Sequence, residues 1–206
     1  MDAVKTAYHH GDLRVALIEA ALEIIDEDGP QGLTIRKVAQ RAGVSHAAPY
    51  RHFAGKDDLV LAVVERGFEL LNEEMAEARA RAGDDLLAQF ASSGEAYLTF
   101  AMNNPTYYRV MFNGNMLSAG DNEGLRHTSA ASFERMTEDI RMCQELGVVR
   151  EGDPGLLAIA IVSTVHGFVS LANDNRLTHI QGRAMDLDEL RDFVVSAIFE
   201  GVGAPS

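Results

Sequence analysis

The first apolar pattern of the chain follows Asp12 and has the spacing of one face of an α-helix. Its apolar residues recur at intervals of three and four, which is the period of a helix that buries one side. The positions are Leu13, Ala16, Leu17, Ala20, Ala21, Ile24 and Ile25. Gly29 and Pro30 then end the pattern. The sequence therefore predicts a long amphipathic helix from Asp12 to about Gly29, which needs other helices to cover its stripe.

Two short helices are predicted next. Thr34 can cap the first, and Gly43 with Val44 matches a left-handed helix stop and the hydrophobic residue that follows it. The apolar positions of this helix are Ile35, Val38, Ala39 and Ala42. Ser45 then caps a second short helix that ends near Phe53. Two short helices joined by a glycine turn are typical of a helix-turn-helix, whose second helix enters the major groove of DNA.

The rest of the chain carries further helical patterns and no convincing strand or internal repeat. Caps and breakers set their bounds. The predicted helices run from Lys56 to about Ala82, from Asp84 or Asp85 to Asn104, from Pro105 to Phe112, through Phe133 to Gly147, from Asp153 through residue 172, and from about Asp188 to Glu200. Asn113 to Asn122 is predicted to be a mobile loop. The fold class is therefore all-α, with a three-helix helix-turn-helix domain in residues 1–55 and a larger helical-bundle domain in residues 56–206.

The longest apolar run, Leu156 to Ala172, is broken by the polar residues Ser163, Thr164, His166 and Ser170. It is too short for a membrane-spanning helix, which needs about 20 apolar residues. Because this helix is apolar nearly all round, we expect the chain's own helices to bury one side and a second copy of the chain to bury another. The sequence thus predicts a homodimer formed through residues 154–174 and 188–200.

The composition of the 206-residue chain, 47% apolar and 24% charged, is that of a soluble globular protein. No secretory signal is visible, and the single Cys143 excludes an intramolecular disulfide, so a cytoplasmic location is expected. The motifs CxxC, HExxH, GxGxxG and GxSxG and a Walker-type loop do not occur. The sequence therefore argues against an enzyme and predicts neither a cofactor nor a metal.

Charge is distributed unevenly along the chain. Residues 34–56 contain five basic residues and no acidic one, whereas the whole chain has a net charge of −13. The basic residues are Arg36, Lys37, Arg41, Arg51 and Lys56. A compact basic segment in an acidic protein favours a polyanionic partner, and the phosphates of double-stranded DNA fit a helix-turn-helix.

Two other groups of polar residues have simpler interpretations. Glu69, Glu73, Glu74 and Glu77 fall at helical spacing and are interpreted as a solvated helix face rather than an acid-base pair. His9 and His10 have no further ligands nearby, so an arm along DNA, or plain exposure, is favoured over a metal site. An enzyme that uses His166 or the glutamate cluster would lack a paired nucleophile, a metal set and a phosphate cradle.

At residues 8 to 13 and 34 to 56 the sequence resembles the TetR-like family of bacterial regulators. The similar stretches are YHHGDLR and LTIRKVAQRAGVSHAAPYRHFAGKDDL, and they cover roughly the first 60 residues. The resemblance implies a homodimer with an N-terminal three-helix DNA-binding domain and a larger helical domain for ligand and dimer contacts.

One branch of this family is named for a Trp-His-Gly motif in its C-terminal domain, and the stretch TVHGFVSLA resembles it. His166 and Gly167 match the motif. Val162 stands where the tryptophan is expected, and the chain has no Trp. A role that depends on the indole ring is therefore not carried over.

The family pattern also implies roles for individual residues. At DNA phosphates it places Thr34, Tyr50, His52 and Lys56, and at base edges it places His46, Ala47, Ala48 and Arg51. Arg36 and Ser45 complete the predicted DNA-binding set. The small alanines allow close approach and methyl contact with thymine, while Arg51 can read guanine. Pro49 removes an amide hydrogen early in the recognition helix, which is harmless only within the first turn. With Phe53 four residues later, Pro49 is expected to turn inward as core, where the family often has leucine.

The resulting hypothesis is a homodimeric transcriptional repressor that binds a near-palindromic operator and is released by a small apolar or amphipathic ligand. The predicted ligand contacts are Phe112, Phe133, Met136 and His166, with plain core packing as the alternative for these residues. The alternative for the whole protein is a helical small-molecule-binding protein without sequence-specific DNA binding.

Overall fold

The computed structural model describes residues 10–112, 123–177, 179–180, 183–184 and 186–203. In chain order, the described elements are α1 (His10–Gly32), α2 (Ile35–Arg41), a 3-10 helix (Pro49–Arg51), α3 (Lys56–Arg81), α4 (Leu86–Asn103), α5 (Pro105–Met111), α6 (Glu123–Glu145), α7 (Pro154–Asn173), β1 (His179–Ile180), β2 (Arg183–Ala184) and α8 (Leu187–Val202). The predicted all-α class is confirmed.

The backbone divides into two compact units. The first comprises Met1–Gly67 with Thr106–Leu125, and the second comprises Phe68–Pro105 with Arg126–Ser206. Helix α3 is continuous across the division after Gly67. The functional boundary predicted between residues 55 and 56 stays a prediction.

In the first unit, α1 buries its predicted apolar stripe. Leu17, Ala21, Ile24 and Ile25 are at most 2% exposed. Gly29 has φ 70°, which lies in the left-handed region and kinks the helix where the sequence predicted its end. The chain then makes a last helical turn to Gly32, so the predicted break is a kink followed by a short extension.

The other elements of the first unit supply a buried apolar set, whose members include Val38, Phe53, Leu59, Val63, Val110 and Met111. The Arg14 guanidinium carbon lies 5.7 Å from the centre of the Phe53 ring, which is a cation–π distance. On α5, the Thr106 hydroxyl donates a hydrogen bond to the Asp26 carboxylate of α1. Polar and apolar contacts therefore both hold α5 within this unit.

In the second unit, aspartates cap three helices. Asp85 Oδ1 accepts the Leu87 and Ala88 amides at 3.0 and 3.1 Å, and Asp153 Oδ1 accepts the Gly155 amide at 2.8 Å. Asp186 caps α8 in the same way. These contacts confirm the helix starts predicted at residues 85 and 153, and α8 begins at Leu187, one residue before the predicted start.

The core of the second unit is formed where α7 packs against α4 and α8. Its buried residues include Leu98, Phe100, Ile140, Cys143, Val165 and Val169. The Asn173 side-chain amide donates to the Ala101 carbonyl at 3.2 Å and fixes the end of α7 to α4. Helix α6 ends before Gly147, which has φ 71° as its predicted stop requires.

Two expectations concern the less regular segments. The absence of strands is wrong for residues 179–180 and 183–184, where β1 and β2 pair antiparallel with His179 opposite Ala184. Strands of two residues carry too little alternation to be seen in a sequence. The predicted loop from Asn113 to Asn122 lies outside the described residues.

Helix α7 is long and apolar enough to cross a membrane by length and composition alone. The core helix of a soluble protein passes the same test. On its inward side α7 buries Leu157, Ile161 and Phe168, which agrees with the predicted core helix.

Candidate nucleic-acid interface and effector cavity

The turn after α2 is closed as predicted. Thr34 has extended backbone angles, and its Oγ1 accepts the Lys37 amide at 3.2 Å, so it is the N-cap of α2. Gly43 has φ 68°, and the Val44 amide donates to the Ala39 carbonyl at 2.9 Å. This bond is typical of a helix terminated by a left-handed glycine, and it directs the chain into the next segment.

That segment is not the α-helix predicted between Ser45 and Phe53. The Ala48 amide donates to the Ser45 carbonyl at 2.9 Å, a spacing of three residues, and the 3-10 helix Pro49–Arg51 follows. Pro49 has no amide hydrogen, so it cannot make the bond to Ser45 that would continue an α-helix. The prediction is therefore wrong in helix type. Pro49 and Phe53 are buried, which confirms their predicted inward turn.

The structure leaves most of the predicted DNA-binding residues accessible in the first unit. The exposed residues are Thr34, Arg36, Ser45, His46, Ala47, Tyr50 and Arg51, and the half-buried ones are Ala48, His52 and Lys56. Tyr50 is 61% exposed, which is high for an aromatic side chain. Their roles at phosphates and bases stay predictions.

Two of the half-buried residues have constraints that the sequence did not indicate. His52 Nε2 is buried without a hydrogen-bond partner among the described residues, so a phosphate can reach this ring only through Nδ1. Lys56 Nζ donates to the Pro30 carbonyl at 3.0 Å. An ammonium has three donors, so Lys56 can keep this bond and still donate to a phosphate.

The basic segment is partly neutralised by acids of α1. Lys37 Nζ lies 2.8 Å from Asp28, and Arg41 contacts Glu23 at 3.0 Å and Glu27 at 2.5 Å. Among the described residues, neither Arg36 nor Arg51 forms an ion pair. The charge available to a polyanion is therefore that of Arg36, Arg51 and Lys56, whereas Lys37 and Arg41 join α2 to α1.

These ion pairs shift the pKa values of the groups that form them. The hydrogen bond from Arg41 lowers the pKa of Glu27, and the hydrogen bond from Lys37 lowers the pKa of Asp28. The same contacts with Glu27 and Glu23 raise the pKa of Arg41. Each shift favours the charged form, so the pairs persist at neutral pH.

The second unit contains a cavity of about 290 Å³, near the lower end of the range for ligand pockets. Its wall is mainly apolar and includes Phe90, Leu98, Met136, Ile161, Val165 and Phe199. Of the four predicted ligand contacts, Met136 lines this cavity, whereas Phe112, Phe133 and His166 lie outside its lining. Phe112 belongs to the first unit, where its ring centre lies 4.7 Å from that of Tyr108, and Phe133 is 36% exposed.

Asp139 also lines the cavity, and sequence reasoning missed it. It is only 4% exposed; Arg79 donates to its Oδ2, while its Oδ1 has no hydrogen-bond partner in the described part of the chain. Asp139 follows Met136 by three residues and precedes Cys143 by four, so it lies on the apolar stripe of α6. An acid on an apolar stripe was the signal that could have identified it.

The first unit carries a helix-turn-helix, which is a DNA-binding motif, and the second unit is helical and contains a mainly apolar cavity. Together they indicate the class of helical DNA-binding regulators. Residues 17–63 match the family model described as bacterial regulatory proteins of the tetR family, and residues 90–198 match a tetracyclin repressor-like C-terminal domain. The chain belongs to the TetR family and is a DNA-binding transcriptional regulator.

The chain is also similar to individual proteins of known sequence or structure. The chain is 27% identical over 139 residues to the nucleoid occlusion factor SlmA of Marinobacter nauticus, which covers 68% of this chain and 70% of that protein. A protein of unknown function from Rhodococcus sp. RHA1 is 30% identical with a TM-score of 0.81, over 96% of this chain and 99% of that one. SmeT, the repressor of the Stenotrophomonas maltophilia multidrug efflux pump SmeDEF, shares the fold with a TM-score of 0.68 at 21% identity, over 94% of this chain and 91% of SmeT.

Proposed function

We propose that the protein is a cytoplasmic, homodimeric repressor that binds a near-palindromic operator and releases it when a small ligand occupies the cavity of the second unit. The observation that carries the proposal is that some basic residues of the segment form ion pairs within the protein while others remain accessible. Lys37 and Arg41 are held by acids of α1, while Arg36, Tyr50 and Arg51 stay accessible around the helix-turn-helix. Accessible cations beside an exposed tyrosine suit a duplex backbone.

On DNA, each side chain would use a donor that remains available. The Thr34 hydroxyl accepts an amide through its oxygen, so its hydrogen is left for a phosphate. Tyr50 would donate its phenolic hydrogen, and Lys56 stands at the N-terminus of α3, where helix amides favour an anion. His46, Ala47 and Arg51 would meet base edges, presented by a turn and a 3-10 helix instead of an α-helix.

A second copy would be bound through α7 and α8. The exposed face of α7 has no charged residue: it consists of Leu156, Ile159, Ala160, Ser163, Thr164, Gly167, Ser170 and Leu171. On α8, Phe193 is 71% exposed. An uncharged helix face is unusual on an acidic protein, and a self-complementary helix face is the surface that a two-fold dimer uses. Two copies would then place their recognition segments roughly 34 Å apart.

For a ligand to cause release of the operator, it must bind two conformations of the dimer with different affinities. A coupling of about 1 to 3 kcal/mol would change operator affinity by roughly 5- to 150-fold. Helix α3 is the candidate connection, because it carries Lys56 at its start and the cavity residue Met75 further along. A small rotation of this helix would change the spacing of the two recognition segments.

The DNA-binding part is tested by fluorescence anisotropy of a fragment containing the protein's own promoter. Combined Arg51→Ala, Tyr50→Phe and Lys56→Ala changes should abolish specific binding, while Arg81→Ala, which removes an exposed cation from the second unit, should leave it intact. Specific binding that survives the triple change would contradict the assignment. A reporter driven by the same promoter should rise when the gene is deleted, and a fall would indicate an activator.

A further inference from the structure

The cavity of the second unit contains one polar feature that its apolar wall does not explain. Asp139 is 4% exposed and lines the cavity, and its two carboxylate oxygens have different surroundings. Arg79 donates to Oδ2, whereas Oδ1 is buried with no hydrogen-bond partner among the described side chains and backbone groups. A buried acceptor left unpaired is costly, so a group that donates to it gains more than it would in water.

The neighbouring charges decide what kind of donor fits. Arg191, on the cavity wall, is already engaged, with its guanidinium 2.9 Å from both Asp188 and Asp192. The other charged residues of the lining besides Asp139 are Glu95, Arg135 and Asp192, and all three are solvent-exposed. A carboxylate or phosphate placed beside Oδ1 would meet a like charge. An N–H donor would meet an acceptor there, and a protonated amine would add charge assistance.

We infer that the effector is a compact apolar amine whose nitrogen donates to Oδ1 of Asp139, with its hydrocarbon body against Phe90, Met136, Val165 and Phe199. This inference rests on the proposed ligand-responsive function and narrows it to one chemical class. Fatty acids and other anionic amphiphiles are excluded from this orientation.

The test uses four naphthalene probes of similar size, which differ only in the substituent: naphthylmethylamine, naphthylmethanol, methylnaphthalene and naphthoate. Calorimetric titration of the full-length protein should give the tightest binding for the amine, about 10- to 100-fold tighter than for methylnaphthalene. The alcohol should fall between these two, and naphthoate should bind most weakly. Equal affinity for the amine and methylnaphthalene would overturn the inference.

Two variants test which carboxylate causes the preference for the amine over methylnaphthalene. Asp139→Asn should reduce the preference for the amine to roughly threefold or less. Glu95→Gln removes an exposed acid from the same cavity and should keep the full preference. An unchanged preference in Asp139→Asn, or its loss in Glu95→Gln, would contradict the assignment. If Asp139→Asn fails to fold, a crystal structure of the wild-type protein with naphthylmethylamine decides, because the nitrogen must lie about 3 Å from Oδ1.

The regulator proposal and the inference about the effector are overturned by different measurements. Operator binding is measured without any probe, so its absence together with a strong amine preference would overturn the regulator proposal alone. Specific operator binding without an amine preference would overturn the inference about the effector alone.

Discussion

Arg41, at the end of α2, holds both carboxylate oxygens of Glu27, with nitrogen–oxygen distances of 3.0 and 2.5 Å. The same guanidinium reaches Glu23 at 3.0 Å. A two-pronged arginine–carboxylate contact fixes direction as well as distance, so it sets how α2 lies against α1. This basic residue of the helix-turn-helix therefore orients the motif, and its charge is not available to DNA.

The first prediction is that Arg41→Gln lowers the stability of the protein at pH 7 and that the deficit shrinks in acid. The Glu27 carboxylate has a lowered pKa in the folded state because Arg41 donates to it, so its stabilising contribution is present above its ordinary value of 4.5. That contribution is lost as the pH falls through the lower folded value. Chemical denaturation of the wild type and of Arg41→Gln, from pH 7 to below pH 4.5, measures the difference in their free energies of unfolding. A deficit that is constant with pH would contradict the ion-pair explanation.

The second prediction separates Lys56 from Arg41 on DNA. If Lys56 neutralises a phosphate, Lys56→Met should reduce the slope of log affinity against log salt concentration by about 0.9 for each half-site. Arg41→Gln should leave that slope unchanged, because its charge is already paired. Anisotropy titrations at several salt concentrations give both slopes. If Lys56→Met and the wild type had the same slope, Lys56 would not contact a phosphate.

Local signals accounted for most of the fold. The caps at Asp85 and Asp153 and the stops at Gly43 and Gly147 act within a few residues, so a sequence displays them directly. The 3-10 form after Ser45 was not predicted, because one missing amide hydrogen in the first turn does not by itself exclude an α-helix. The choice between helix types depends on how Pro49 and Phe53 pack inside the unit.

Long-range pairs explain what the sequence could not predict about the candidate sites. Lys37 and Asp28 are nine residues apart, Arg41 and Glu23 eighteen, and Arg79 and Asp139 sixty. Counting charges in one segment therefore overstated the charge available to DNA. Helical spacing likewise identified Met136 as a residue on the inner face of α6, but it could not show that the same wall includes Phe90 and Phe199 from other helices.

The third prediction concerns the close approach of α3 and α5 in the first unit. A Cβ atom added at Gly67 would lie 2.7 Å from Met111 Sδ and 3.1 Å from a Tyr107 ring carbon. Alanine favours a helix over glycine by about 1 kcal/mol, but overpacking a buried site costs about 1 to 3 kcal/mol. Gly67→Ala should therefore lower the free energy of unfolding by about 1 kcal/mol.

The matched control for this change is Gly94→Ala on α4. Gly94 is exposed, and an added Cβ would have no neighbour within 4 Å. The same substitution should there raise the free energy of unfolding by up to about 1 kcal/mol. Denaturant titrations of both variants compare the two sites. If Gly67→Ala were as stabilising as Gly94→Ala, α3 and α5 would not be in the close contact described.

The fourth prediction is that Cys143 does not react with thiol reagents in the folded protein. The side chain is completely buried in α6, and burial, with the nearby negative charge of Asp139, raises the pKa of its thiol. Since the thiolate is the reactive form, labelling of Cys143 at pH 8 should occur only when local or global unfolding exposes it. A disulfide reagent monitored by absorbance should react quickly in guanidinium and slowly in buffer. An exposed cysteine made by Ala80→Cys in a Cys143→Ser background gives the fast reference, and an equal rate for native Cys143 would contradict its burial.

The last prediction tests the surface proposed for the second copy of the chain. Ile159 on α7 and Phe193 on α8 are 53% and 71% exposed, so a charge at either position costs little in an isolated chain. In a dimer that buries them, paired Ile159→Glu and Phe193→Glu changes would place carboxylates of one sign, which cannot pair with each other, in an apolar interface. Sedimentation velocity should therefore show a monomer with unchanged helical content and greatly weakened operator binding. Leu146→Lys, at a position that is 59% exposed after α6 and outside the proposed interface, should remain dimeric. A wild-type monomer, or a dimer that survives the paired changes, would show that α7 and α8 do not form the interface.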